Sequence, residues 1–248
     1  ITHNGLVYAS WFDDNGVRYA VPVNSKSPAY TFSGSFTYRR PLNKKKTLTL
    51  SINPVAGYSS SSSYQAKTRL PGLDKENFDY GKTMDWFWGD ADGSTFYSGE
   101  SGFAQSITNI WDYSLTVDLQ YEIGNFSLMA GGCANNIISR YSLDSAANND
   151  IWTFITYGEL LWYNEKGWEV MTDYVFNFYR GLSKGFGAPE YIWNARLSKE
   201  LKSFTVNLSL MDILNQRRSY LGQIRKTSAE YIEDSYHNVM GRCVLLGV

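Results

Sequence analysis

The sequence predicts an all-β protein, an antiparallel up-and-down transmembrane β-barrel of about ten strands. Three observations predict it. Polar and apolar residues alternate in six separate runs, which is the period of a strand and not of a helix. Very short polar links alternate with long ones, placing all tight turns at one end of a sheet and all long loops at the other. Aromatic rings gather near strand ends, Tyr30 with Tyr38, Trp152 with Trp162 and Trp168 with Phe178, where a membrane barrel carries its two aromatic girdles.

Taken in chain order, the first run sets Tyr30, Phe32, Phe36 and Tyr38 against Thr31, Ser33, Ser35, Thr37 and Arg39. A short turn, "PLNKKK" at 41–46, leads to Leu48, Leu50 and Ile52 opposed to Thr47, Thr49, Ser51 and Asn53. After a long link at 61–105, Leu115, Val117, Leu119 and Tyr121 oppose Ser114, Thr116, Asp118, Gln120 and Glu122, and "EIGN" at 122–125 turns the chain. A long link is expected at 142–150 and a short turn, "NEKG", at 164–167. Trp168, Val170, Tyr174, Phe176 and Phe178 then oppose Glu169, Asp173 and Asn177, with Met171 and Val175 blurring the polar face. A long link at 181–189 precedes a rougher run, Tyr191, Trp193 and Leu197 against Asn194, Arg196 and Ser198. The short turn "KELKS" at 199–203 leads to Val206, Leu208 and Leu210 against Thr205, Asn207 and Ser209, and a last long link spans 214–236.

Composition narrows the classes without choosing among them. The 248 residues, 43% hydrophobic, suffice for one large all-β domain or two small ones; we read residues 1–248 as a single barrel segment. Aromatic residues make up 16% of the chain and charged residues only 19%, below the usual quarter of a soluble domain. A net charge of −1 and the lack of a basic stripe give no expectation of nucleic-acid binding. Cys133 and Cys243 show no C-x-x-C spacing and read as ordinary small side chains. No run of 18 apolar residues predicts a transmembrane helix, but a spanning strand needs only about 9–11 residues with every second one apolar. The mean hydropathy of −0.34 is therefore uninformative. The opening "ITHNGLVYAS" does not read as a signal peptide.

A soluble β-sandwich is the competing fold, with the apolar face as its core. Sandwich strands run to about 5–6 residues, whereas several runs here continue much further, and Greek-key connections give no reason for short turns and long loops to alternate.

The closing region, "YIWNARLSKELKSFTVNLSLMDILNQRRSYLGQIRKTSAEYIEDSYHNVMGRCVLLGV", resembles the C-terminal end of the large outer-membrane barrels of Bacteroidota, the TonB-dependent-receptor-like β-barrel family. The marks are "WNARLSKEL", a strand ending in "MDILNQ", and "YIEDSYHNVMGR" leading into a last strand. "ITHNGLVYASWFDDNGVRYAVPVN" and "YTFSGSFTYRRPLNKKKTLTLSINPVAGYS" are similar to the family's mid-barrel strands and hairpins. The resemblance covers essentially the whole chain. It implies the C-terminal part of a larger barrel in the bacterial outer membrane, contacting outer-membrane lipid and taking up a substrate driven by TonB through a plug outside this chain. It also implies a surface lipoprotein or other envelope protein as a partner. The family's signal peptide, plug and aromatic last residue are expected to lie outside residues 1–248, which read as barrel alone. A non-transporting barrel that scaffolds an envelope complex is the alternative within the membrane class, and a soluble carbohydrate-binding sandwich the alternative outside it.

The strand phase assigns Val206, Leu208 and Leu210 to lipid and Thr205, Asn207 and Ser209 to the lumen, since a strand cannot cheaply present its polar face to hydrocarbon. By the same phase Asp118, Glu122, Glu169, Asp173, Asn194 and Arg196 point inward, to line a solute path or simply to pair in a hydrated interior. The long segment 64–102 supplies a second candidate: Trp86, Phe87 and Trp88 beside Asp85, Asp90 and Asp92, rings next to carboxylates that suit a sugar or a protein partner. "DADG" falls short of a calcium loop, and no metal or cofactor is expected. His3 and His237 stand alone, with no G-x-S-x-G, metal-ligand pair or phosphate loop, so no enzyme activity is expected.

Overall fold

The computed structural model describes residues 5–13, 15–25, 27–66, 103–182, 187–217 and 239–248. Twelve strands follow in chain order: β1 (Leu6–Phe12), β2 (Arg18–Asn24), β3 (Tyr30–Ser35), β4 (Tyr38–Pro41), β5 (Leu48–Ala66), β6 (Phe103–Ile123), β7 (Phe126–Tyr141), β8 (Asn149–Tyr163), β9 (Trp168–Arg180), β10 (Glu190–Glu200), β11 (Thr205–Met211) and β12 (Cys243–Gly247). All six alternating runs fall on strands, the one at 30–39 divided between β3 and β4 by Phe36 and Thr37. The structure is all-β, with no α-helix among the described residues, and hydrogen bonds link the strands in the order β12-β11-β10-β9-β8-β7-β6-β5-β1-β2, with β3 and β4 also pairing β5.

The tight turns form because their residues relieve the backbone. In the β4–β5 turn the Asn43 carboxamide oxygen accepts hydrogen bonds from Thr47 N at 2.9 Å and Leu48 N at 3.4 Å. Gly124, at φ 56°, reverses the chain between β6 and β7. Between β8 and β9, Asn164 Oδ1 accepts from Lys166 N at 2.9 Å and Trp168 N at 3.1 Å, and Gly167 takes φ 75°. Leu201 N donates to Phe204 O at 2.9 Å to close the β10–β11 turn. All four expected short turns are present, and a longer link at 142–148 lies between β7 and β8. The expected long links at 61–105, 181–189 and 214–236 lie largely or partly outside the described residues, β5 running to Ala66 and β6 starting at Phe103.

The structure corrects three expectations. The sheet is not closed into a barrel: β2 and β12 are its two ends, and no pairing joins them among the described residues. Among the described residues there are twelve strands, against about ten spanning strands expected; the run at 30–39 breaks at Phe36 and Thr37 into the short β3 and β4, and β1 and β2 form a short hairpin. The order is not purely up-and-down, because β1 pairs β5 in parallel, Ala9 opposite Tyr64 and Ser10 opposite Gln65.

The chain divides into two compact units. The first comprises 1–32, 57–111 and 139–148. Its centre is the antiparallel β1–β2 hairpin, where Trp11 stacks on its cross-strand partner Tyr19 at 5.6 Å between ring centroids. Ala9, Trp11, Val21, Val23, Tyr64 and Ala147 are buried, and no other hydrophobic side chain is buried among the described residues. The hairpin turns on Asp13, whose carboxylate accepts from Val17 N at 2.8 Å and from the Tyr19 hydroxyl at 3.3 Å.

The second unit comprises 33–56, 112–138 and 149–248 and carries no buried hydrophobic side chain among its described residues. Its registers instead align apolar residues into rows. Trp162, Val170, Leu197, Leu208 and Leu246 stand opposite one another in turn across β8 to β12. Leu197, Leu208 and Leu246 of that row are exposed. Near the far ends of the same strands Phe154 lies 6.0 Å from Phe178, and Phe176 stacks on Tyr191 at 4.3 Å.

Candidate functional site

The face opposite these apolar rows, within the second unit, brings the inward-assigned residues together. β9 and β10 pair so that Asp173 faces Asn194, and Asn194 Nδ2 donates to Asp173 Oδ2 at 2.8 Å. Asn194 Oδ1 in turn accepts from Asp212 N at 2.9 Å, tying the end of β11 to the same cluster. Asp212 is buried, takes φ 47°, and its two carboxylate oxygens accept from Gln216 N and Arg217 N, each at 3.0 Å. The connection after β11 therefore leaves the sheet on the Asp212 side chain together with a backbone turn, in which Asn215 N donates to Asp212 O at 2.8 Å.

Two residues along, Arg196 and Glu169 form an ion pair at 2.8 Å with exposures of 45% and 37%. That exposure decides its weight: a solvated pair contributes at most about 1 kcal/mol. Glu159 on β8 stands directly opposite Asp173, so two carboxylates meet across the ladder, an arrangement that costs stability unless a cation or solvent screens it.

Asp118, on β6, accepts a hydrogen bond from the Tyr157 hydroxyl on β8, two strands away. The intervening strand permits it because Gly131 stands between them: a Cβ there would lie 2.9 Å from both Tyr157 Cε2 and Val117 O. Beside this bridge Cys133 accepts from Thr116 Oγ1 at 3.3 Å, donates to Asn135 Oδ1 at 3.2 Å and lies 3.5 Å from Ser114 Oγ, so all three of its partners are polar. Glu122 accepts from Gln120 Nε2 at 2.7 Å, and Gln120 Oε1 accepts from Arg39 Nη2 at 3.2 Å.

All six inward-assigned residues thus share one face, yet not as one cluster. Asp173 and Asn194 are bonded, Glu169 and Arg196 are paired, and Asp118 and Glu122 have other partners. Sequence reasoning missed Tyr157, Glu159, Gly131, Cys133 and Asp212. The face of β8 that carries Tyr157 and Glu159 also carries Ile151, Ile155 and Leu161, which erases the alternation. Trp86, Phe87, Trp88, Asp90 and Asp92 lie outside the described residues.

The opposite face of the unit holds an apolar groove of about 760 Å³ with Phe36, Tyr113 and Trp152 around Ala56 and Ala134. Among its polar members, Asn136 is buried and donates to Asp150 Oδ1 at 2.5 Å and to Ile151 O at 3.3 Å. Among the described residues no three of His, Cys, Asp and Glu gather as a metal-holding group, and no helix is long and apolar enough to cross a membrane; the latter does not bear on strands.

These features define an all-β protein whose open, mostly antiparallel sheet separates an exposed apolar face from a hydrogen-bonded polar one. No protein-family model matches the chain, and neither a curated protein nor a solved structure is similar to it at a significant level.

Proposed function

We propose that this chain is the barrel-forming part of a TonB-dependent-receptor-like transporter of the bacterial outer membrane, with its polar face lining a hydrated lumen and its apolar rows facing lipid. One observation carries the reading: the second unit has long strands, an apolar row across five of them that is exposed at Leu197, Leu208 and Leu246, and no buried hydrophobic side chain among its described residues. In water such a sheet leaves its hydrophobic surface unburied; in hydrocarbon that surface is already at home.

Dimensions support the reading. Trp152 and Trp162 bracket β8. At a rise of about 3.3 Å per residue they stand about 33 Å apart along the strand, and about 23 Å along the membrane normal at a tilt of about 45°. An apolar band is about 25 Å tall between its girdles. The polar face, with its hydrogen-bonded Asp118, Asp173 and Asn194, suits contact with water or a plug. The words uptake and TonB rest on the family resemblance of the closing region. A surface lipoprotein over the long links is part of the same proposal.

The test is the polypeptide that carries these residues in its own cell envelope. Recovery from outer membranes only with detergent, at an intact mass several times the 28.2 kDa of this chain, supports a plugged receptor. A mass near that of this chain in the same fraction favours the scaffold barrel, and recovery in solution without detergent overturns the membrane reading.

A further inference from the structure

The four tight turns lie side by side along one edge of the second unit. Glu122 N donates to Thr47 O at 2.7 Å, Tyr163 N to Asn125 O at 3.2 Å, and Glu200 N to Gly167 O at 2.7 Å, so each turn is hydrogen-bonded to a strand end beside the next. This edge is cationic in a chain of formal charge −1. It carries Lys44, Lys45, Lys46, Lys166, Lys199 and Lys202, against Glu122, Glu165 and Glu200. Glu122 already accepts from Gln120.

Beneath the lysines stands a belt of large apolar side chains. Leu42, Ile123, Phe126, Trp168, Leu201 and Phe204 are all exposed. Lys199 joins the two layers: its Nζ lies 5.0 Å from the centroid of the Trp168 ring and donates to Lys166 O. A merely solvated turn has no reason to set a ring belt directly under its charges. Long lysines above an apolar belt place their ammonium groups at headgroup depth while their stems cover hydrocarbon.

Resting on the membrane reading above, we propose that this short-turn edge binds the phosphates of anionic phospholipids in the leaflet it meets, with Lys44, Lys45, Lys166 and Lys202 as the headgroup contacts and Trp168 as the depth marker. Charge complementarity selects the occupant: three clustered, exposed lysines on one hairpin favour an anionic surface over a zwitterionic one.

The experiment reconstitutes the detergent-purified polypeptide into vesicles of phosphatidylcholine alone or mixed with phosphatidylglycerol, and counts the lipids of each kind that stay bound when it is released into the mass spectrometer. Preferential retention of phosphatidylglycerol is expected, falling about fivefold for each lysine removed and weakening with salt. The K44Q/K45Q variant should keep inserting, because Asn43 and Gly124 organise the neighbouring turns without these side chains, and should lose most of the preference. The K44E/K45E variant should disfavour phosphatidylglycerol. Insertion into both vesicles with equal retention, or a preference unchanged in K44Q/K45Q, overturns this inference alone. Failure to insert into either, with the protein staying in solution without detergent, overturns the membrane reading beneath it.

Discussion

Asp118 and Tyr157 are hydrogen-bonded across an intervening strand, and Gly131 is the residue that lets them meet. A methyl group at 131 would press on the Tyr157 ring and on the Val117 carbonyl, both 2.9 Å away. Gly131→Ala should therefore destabilise the fold by about 1–3 kcal/mol through overpacking. Tyr157→Phe, which removes only the hydroxyl, should cost about 1 kcal/mol. Because both changes act on one contact, the double variant should cost less than the sum, which urea unfolding of the three variants measures.

Asn194 serves two partners, the carboxylate of Asp173 and the backbone N–H of Asp212. Asn194→Leu leaves both without it and should cost about 1–3 kcal/mol. The larger effect is local. Limited proteolysis should cut the connection after β11 sooner in this variant, while cleavage in the β8–β9 turn stays unchanged.

Gly124 and Gly167 both occupy tight turns at positive φ, but their surroundings differ. A Cβ at 124 meets nothing within 4 Å, whereas one at 167 would lie 2.9 Å from Glu200 O. Gly124→Ala should cost only the left-handed backbone term, about 1 kcal/mol. Gly167→Ala should cost more, with loss of the Gly167–Glu200 backbone contact. Equal midpoints for the two variants in a denaturant titration would contradict this.

Leu208 and Ser209 are neighbours on β11 with opposite orientations, Leu208 in the apolar row and Ser209 opposite Arg196. On the membrane reading, Leu208→Arg should lower stability in lipid by about 2–4 kcal/mol if the residue lies near the midplane, and Ser209→Arg by far less. In an aqueous sheet the order would vanish, since Leu208 is already 39% exposed. Unfolding titrations in lipid vesicles distinguish the two.

Arg196→Ala should change stability by no more than about 1 kcal/mol, given the exposure of its pair with Glu169. Its effect should show in conductance instead. On the membrane reading, removing this cation from a face that also carries Glu159, Glu169 and Asp173 should raise cation selectivity in planar bilayers.

The six strand runs, the four short turns and the two faces were legible in the sequence because each depends on local chemistry. Alternation fixes which side chains share a face, and Asn43, Gly124, Asn164 and Gly167 impose their turns through bonds or dihedrals within a few residues. That is how Asp173, Asn194, Glu169 and Arg196 could be placed on one side before any pairing was known. β8 was harder, since Ile155 and Leu161 share the side of Tyr157 and Glu159, and its role rests on which strands flank it.

Tertiary structure alone decided the rest. The parallel pairing of Ala9 with Tyr64, the sheet that ends at β2 and β12, the bond from Tyr157 over Gly131 to Asp118, and the tie from Asn194 to Asp212 all join residues far apart in the chain. Local periodicity carries no information about which distant strand supplies the partner. Pairing depends on the backbone hydrogen bonds and side-chain fit of the whole sheet, which no short window of sequence contains.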